Sequence, residues 1–505
     1  MMKKLLILIL ISACVLSVSA NANIDIQNGI NLMADNDVIY VSPDGTGDGS
    51  SPNSPLGSME KALSQSKSGG TIKVLKGLYK GDQHTGLVID KNISIEGDID
   101  TVFDGERQNF IFLANGQGLN VKVSNIIFKN ANSAHGPGYH GYASVSYLKN
   151  CVFEDNNADA GAGATGFSNA NATLENCTFK GNHATDFAGA TSSWIGSNVT
   201  LIQCTFEKNT VDLDGACIYA KGSHLTVINS IFKNNEAENN GIIYADENAE
   251  VNIINTIFTD NNVNSDGGVV KILDGKLDVS TSQFTNNVAN YGNGGALSVS
   301  SSDLNVNNCD FRGNKASNGG AVSIDSESNA SIDSSTKFIN NTANADGGAI
   351  HVQKSSLRDK LSIYDNNSAT GDGGTIFSKQ SSINLFGPDF LNSEANNGGA
   401  LSINSGSTYI IAGIFRNCIA NSNGGAIDHQ LGLLDIVTST FENNKAIELG
   451  GAIYDYLGYN IHIEANIIEN NIAKNGGGIA INENIVGLEE RNLFKNNEPD
   501  DIFNY

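Results

Sequence analysis

The stretch Gly424–Gly451, GGAIDHQLGLLDIVTSTFENNKAIELGG, sets the reading of the whole chain. It leaves a Gly-Gly-Ala-Ile, runs through alternating apolar residues to Phe441, turns at Asn443-Asn444 and reaches a second Gly-Gly. The same sentence recurs throughout. Phe or a substitute stands at 128, 153, 179, 206, 232, 258, 284, 311, 338, 364, 390, 415, 441, 468 and 494, at steps of 25, 26 or 27 residues, with Tyr364 and Ile468 as the stand-ins. Three residues after this anchor comes Asn in twelve of the fifteen cases; Ala131, Ser393 and Cys418 are the exceptions. A fixed period of this length marks a solenoid, in which each unit buries its apolar face against its neighbours.

Within a coil, apolar residues stand seven and five places before the anchor, as in Leu225/Val227, Leu304/Val306 and Leu434/Ile436. A spacing of two places both side chains on one face of a strand. Two places before the anchor the residue is small, as at Cys151, Cys177, Cys204, Ser230, Thr256 and Ser439, and a further strand follows Gly-Gly, as in Leu297–Val299 and Ile350–Val352. Three short strands per coil predict an all-β chain, a single parallel β-helix of about fifteen coils with a triangular section. At one strand spacing per coil the rod is about 70 Å long. The Phe rings stack, the Asn side chains form an amide ladder, and Gly-Gly turns the corner where a Cβ would clash.

The flanks read differently. Met1–Ala20, with Lys3-Lys4, an apolar core and small residues ending at Ala20, has the form of a secretory signal peptide cleaved after Ala20; Ile11–Cys14 alternatively resembles a lipoprotein box. Residues 21–37 read as a flexible lead-in, 38–100 as an N-terminal cap and first coils, 101–494 as repeats and 495–505 as a C-terminal cap. In the N-terminal cap, Val38–Val41 reads as a strand and Ser58 as the N-cap of a short helix with Met59, Ala62 and Leu63 on one face. At the other end Ile502, Phe503 and Tyr505 are expected to fold over the open end after Pro499.

Charged residues make up 17% of the chain and the net charge is −24, or −26 once a leader with its two lysines is removed. That balance argues against nucleic acid and anionic membranes as partners. No stretch has 18 consecutive apolar residues, so no transmembrane helix is expected.

The entry segment, YVSPDGTGDGSSPNSPLGSMEKAL followed by GGTIKVLKGLY and IDKNISIEGD, resembles that of secreted right-handed parallel β-helix proteins. The repeats, Gly-Gly-Ala-Ile/Leu/Val plus Phe-x-x-Asn, resemble those of chlamydial polymorphic outer-membrane proteins and, more closely, of adhesin-like surface proteins of methanogenic archaea. The resemblance covers roughly residues 38–505. It implies a monomeric right-handed rod, secreted or held at a cell surface, with an adhesin-like role toward extracellular glycans or proteins. The chlamydial proteins carry a membrane barrel after their repeats, and barrel anchoring is not expected here.

Two rival classes stay open: a pectate-lyase-like polysaccharide lyase or hydrolase, with calcium as a cofactor, and a purely structural envelope component. Lyases of that type need an Arg base beside calcium-binding Asp residues, and hydrolases a tight set of carboxylates. None of Arg107, Arg312, Arg358, Arg416 and Arg491 falls in a coil flanked by Asp at matching positions, and no catalytic residue is assigned. The residue before the Gly-Gly corner is Asp214 (there before Gly-Ala), Asp266, Asp346 or Asp372 in four coils and Asn in others. Asp346 and Asp372 lie on consecutive coils and are the candidate metal pair; against this, Asp and Asn are interchangeable at such a turn. Two irregular stretches are candidate binding sites: His135, Tyr139, His140 and Tyr142 in HGPGYHGY, and Tyr454, Tyr456 and Tyr459 in YDYLGY. Aromatic rings offer faces to sugars and neutral His can ligate metals. His429 is a further non-repeating candidate for specificity.

Overall fold

A computed structural model describes residues 37–265, 267–333, 335–457, 460–482 and 491–505; the leader, Tyr459 and Asp266 lie outside the described residues. The chain winds into a right-handed parallel β-solenoid of about 16 turns with almost no helix. Most coils contain a fourth strand position beyond the three expected. In one coil the four are Ile218–Lys221, His224–Ile228, Ile231–Lys233 and Glu236–Ala237. The fourth holds only two residues, too short to leave an apolar alternation in the sequence. Its copies nevertheless stack into a separate 13-stranded sheet. In three later coils the first two strands merge without a break, as in Ile427–Val437.

Register follows the repeat. Phe206 lies beside Phe179 and Phe232 on the neighbouring coils, and thirteen rings from Phe128 to Phe441 stack at 4.5 to 5.0 Å between centroids, with planes within 2–14° of each other. Beside this stack runs the Asn ladder. The Asn314 Nδ2 donates to the Phe284 carbonyl on the coil below at 2.9 Å and to Asn341 Oδ1 on the coil above at 3.1 Å. Its Oδ1 accepts both the backbone N–H and the Nδ2 of Asn287, at 3.1 and 3.0 Å. Every polar atom of this fully buried amide therefore has a partner, as burial demands. At Cys418 the ladder is broken, and Asn444 Oδ1 accepts only the Cys418 backbone N–H, at 3.0 Å.

The Gly-Gly corner has two separate requirements. Gly424 sits at φ +65°, where a side chain strains the backbone. A Cβ on Gly425 would lie 2.0 Å from the Gly451 carbonyl oxygen of the next coil, so here it is space that excludes a side chain.

The stand-in at Tyr364 has a physical cause. Five residues earlier, where other coils carry Val, Ile or Leu, this coil carries Asp359, fully buried. The Tyr364 hydroxyl donates to Asp359 Oδ2 at 3.1 Å and the Ser362 hydroxyl to Asp359 Oδ1. Burial pushes the carboxyl up to about 6, so two departures from the repeat compensate each other.

At the N-terminal end Val38–Val41 pairs in parallel with Gly70–Val74, and the helix Met59–Gln65 buries Met59, Ala62 and Leu63, with the Ser58 hydroxyl accepting the Lys61 N–H at 3.2 Å. At the other end Ile502 packs against the core as part of a further strand. Ile502–Asn504 pairs in parallel with Ile479–Ile481 and continues the stack, because Ile502 follows the corner in the same way as the Ile residues below it. Cys151, Cys177, Cys204, Cys217, Cys309 and Cys418 are buried free thiols.

Candidate functional site

The first strand of each coil varies freely in sequence on its outer side. Its first and third side chains point into the tube, while the second and fourth point out. Strand pairing places Leu113, His140, Gly166, Ser192, Tyr219, Tyr244 and Lys271 in one outward row over successive coils. Beside this row runs the corner before Gly-Gly, where Phe187, Asp214 and Asn240 follow one another.

The candidates of HGPGYHGY divide by this geometry. His135, His140 and Tyr142 line a cavity of about 480 Å³ together with Phe110, Leu113, Asn115, Ser133, Ala134 and Gly136. Tyr142 is 52% exposed and forms one rim. The His140 Nδ1 lies 3.4 Å from the His135 carbonyl oxygen, and burial holds its imidazole below the usual range. Tyr139 does not belong to this surface: as the first residue of its strand it points inward, is fully buried and bonds the Ser146 hydroxyl at 2.8 Å.

On the far side of His135 lies an aromatic cluster. The His135 ring stacks on Phe187 at 6.4 Å between centroids, Phe187 meets Trp194 at 5.1 Å and Tyr219 at 5.2 Å, and Tyr219 stacks on Tyr244 at 5.5 Å. Lys221 Nζ sits 5.7 Å above the Trp194 ring. The polar groups at its edge are knitted together: Tyr219 donates to Asp246 at 3.0 Å, Asn240 to Asp214 at 2.7 Å and Lys271 to Asn240 at 2.6 Å. Burial raises the carboxyls of Asp214 and Asp246. The sequence reading passed over these rings. Their signal was a broken pattern: Phe187 occupies a corner position that takes Asp or Asn in most coils, and Trp194 is the single Trp of the chain.

The second candidate stretch is less open. Tyr454 is 7% exposed and its ring lies 6.0 Å from that of Tyr505, while Tyr456 is exposed and Tyr459 falls outside the described residues. His429 is not on the surface either. It is the third residue of its first strand, so it points into the tube, where its Nδ1 lies 2.6 Å from Asp455 Oδ1 with both side chains buried. Asp428 beside it points out yet is buried, accepts from Ser402 at 3.1 Å and from Gln430 at 2.7 Å, and is pushed up to about 7 by burial.

Asp346 and Asp372 do stand on consecutive coils, but their carboxylates serve the corner. Asp346 Oδ1 accepts the Asp372 backbone N–H at 2.9 Å, and Asp372 Oδ1 accepts Asn397 Nδ2 at 2.9 Å. Asn318 makes the same bond to the Asp346 N–H at 3.1 Å, which explains why Asp and Asn interchange here. Among the described residues no group of three or more His, Cys, Asp or Glu is placed to hold a metal ion, and no helix is long and apolar enough to cross a membrane.

Against known proteins, the family model for the right handed beta helix region matches residues 91–258, and that for the Chlamydia polymorphic membrane protein repeat matches residues 335–353 and 438–455. The chain is a β-helix repeat protein. Its repeats resemble those of the polymorphic membrane proteins. No curated protein matches it. Among solved structures it is similar to a mannuronic acid specific polysaccharide family 6 lyase from human gut microbiota, at 10% identity and a TM-score of 0.37, over 80% of this chain and 87% of that one. Two structures of the family 6 alginate lyase AlyGC align at 9% and 10% identity with TM-scores of 0.24 and 0.19, over 90% of this chain and 100% of theirs. Likenesses this low carry no argument about activity.

Proposed function

We propose that this β-helix repeat protein is an adhesin-like binding rod, secreted or displayed at a cell surface, and that it recognises a glycan in the cavity at its N-terminal coils. The observation that carries the reading is the cavity itself. It is rimmed by His135, His140 and Tyr142, which belong to no repeat, and it borders the aromatic cluster of Phe187, Trp194, Tyr219 and Tyr244. A concave, largely apolar site with a few polar groups suits a small ligand or one sugar unit, and ring faces suit the apolar side of a pyranose. The inward repeating residues, the Phe stack and the Asn ladder, are engaged with one another. The resemblance to polymorphic membrane protein repeats supports a surface location.

A glycan array probed with the wild-type protein and with Tyr142→Ala tests the reading. Signal on defined glycans that disappears in the variant at unchanged melting temperature supports it. Release of unsaturated or reducing ends from polysaccharides, with or without calcium, would replace it by the lyase or hydrolase reading.

A further inference from the structure

In a chain with 54 acidic residues, the cavity beside His135 has no carboxylate in its wall. Its titratable groups are His135, His140 and Tyr142, and the remaining lining is Phe110, Leu113, Asn115, Ser133, Ala134 and Gly136. The two histidines are brought together by the turn His135–His140, which folds the His135 carbonyl back toward the His140 ring. The elements packed against this turn carry Glu106 and Arg107 below, on the loop whose Asn109 carbonyl accepts the Asn132 N–H, Asp159 above, in the strand paired through Gly161 to His135, and Asp186 next to Phe187, on whose ring His135 stacks. None of the four reaches the cavity wall. A negative rod thus has a concave spot whose only ionisable nitrogen groups are imidazoles.

Deepening the glycan reading, on which it rests, we propose that this cavity selects a sugar ring bearing a carboxylate or a sulfate, and that it binds such a ring more tightly as the pH falls. The chemistry follows from the lining. With both imidazoles neutral, the cavity offers Tyr142 and Leu113 to a ring face and Asn115 and Ser133 to hydroxyls. When an imidazole gains a proton it becomes a charged donor facing the ligand, and an anionic substituent gains a charge-assisted bond that a plain hydroxyl does not. Binding and protonation are linked: an anion that raises the histidines' proton affinity by one unit binds about tenfold tighter to the protonated site. Burial works against protonation of His140 in the empty cavity, so a bound anion has that much more to change.

The test is calorimetric titration of the full chain with glucuronate, a glucose sulfate and glucose, at about pH 5 and about pH 7.5, which bracket the imidazole range. The expected result is anion binding at least about tenfold tighter at the lower pH, with glucose indifferent to pH, and loss of the pH response in the double variant His135→Gln, His140→Gln. Binding of only one of the two anions identifies the substituent and still supports the proposal. Histidine ring NMR signals give a check that needs no variant: glucuronate raises the pH at which His135 or His140 titrates. Glucose bound as well as the anions at the lower pH, or an unmoved histidine titration, overturns the anion proposal and leaves the glycan reading standing. No sugar bound at either pH overturns both.

Discussion

The inside of the tube and the outer row of its first strands are built from the same coils, yet they obey opposite rules. Inside, what a residue is follows from what lies above and below it. The Asn314 side chain makes four hydrogen bonds, all to neighbouring coils, and a change there disturbs groups on both sides. Outside, the row passes from His140 through Gly166 and Ser192 to Tyr219, Tyr244 and Lys271 with no shared property. A ladder extends its own pattern because each rung completes the next, and a surface facing solvent has no such constraint. The difference separates what holds the rod together from what the rod can recognise.

The comparison breaks most visibly at the ladder. Asn314→Ala takes the acceptor from the Asn287 backbone N–H and from one Asn287 amide hydrogen, and a side-chain donor from the Phe284 carbonyl, all in the core, and each buried orphan costs about 1–3 kcal/mol. A loss of about 4 kcal/mol or more is expected in urea unfolding. A smaller effect of opposite sign is expected where the inside breaks its own rule. Replacing Asp359→Leu together with Tyr364→Phe restores the repeat and removes a buried acid. Because Asp359 is raised in the fold from 3.8 to about 6, the folded state holds its proton more tightly than the unfolded one. Its contribution is fully present below 3.8 and is lost as pH rises through 6, a difference of about 3 kcal/mol. The double variant should therefore gain about that much at neutral pH and lose the corresponding slope, as read from melts between pH 4 and 7. Tyr364→Phe alone takes a donor from Asp359 and should destabilise.

At the corner the effect shrinks. Asp346→Asn keeps an oxygen for the Asp372 N–H, as Asn318 does for Asp346, and should leave stability within about 0.5 kcal/mol of wild type. Calcium should then move the melting temperatures of wild type and variant alike; a calcium shift in the wild type alone would support a metal pair at Asp346 and Asp372. The smallest change in stability is expected outside, at Tyr142→Ala, where half of the side chain already faces solvent.

These contrasts also explain what was legible in the chain. The anchor, the Asn ladder and the Gly-Gly corner could be read directly, since each recurs at a fixed place and the recurrence is itself the physical requirement. The two-residue fourth strand was invisible because two residues carry no periodicity. The C-terminal Ile502 and Phe503 were read as a lid because Pro499 breaks the pattern just before them, although the strand resumes beyond it. The candidate site was half legible. His135, His140 and Tyr142 stood out as a cluster, but inward and outward positions depend on where the strand begins. That phase, set by Phe112 pairing with Tyr139 and by Ile403 pairing with His429, puts Tyr139 and His429 inside. Phe187 and Trp194 join the site only through the stacking of coils, two coils beyond His135 in the chain, a contact that no local motif records.

The division between a self-consistent interior and a recognising exterior is tested most directly by comparing wild type and Tyr142→Ala on one glycan array, with a melt of each protein alongside. The account predicts equal melting temperatures and loss of the glycan signal in the variant. Equal signal from both proteins, or a signal lost only together with the fold, would contradict it.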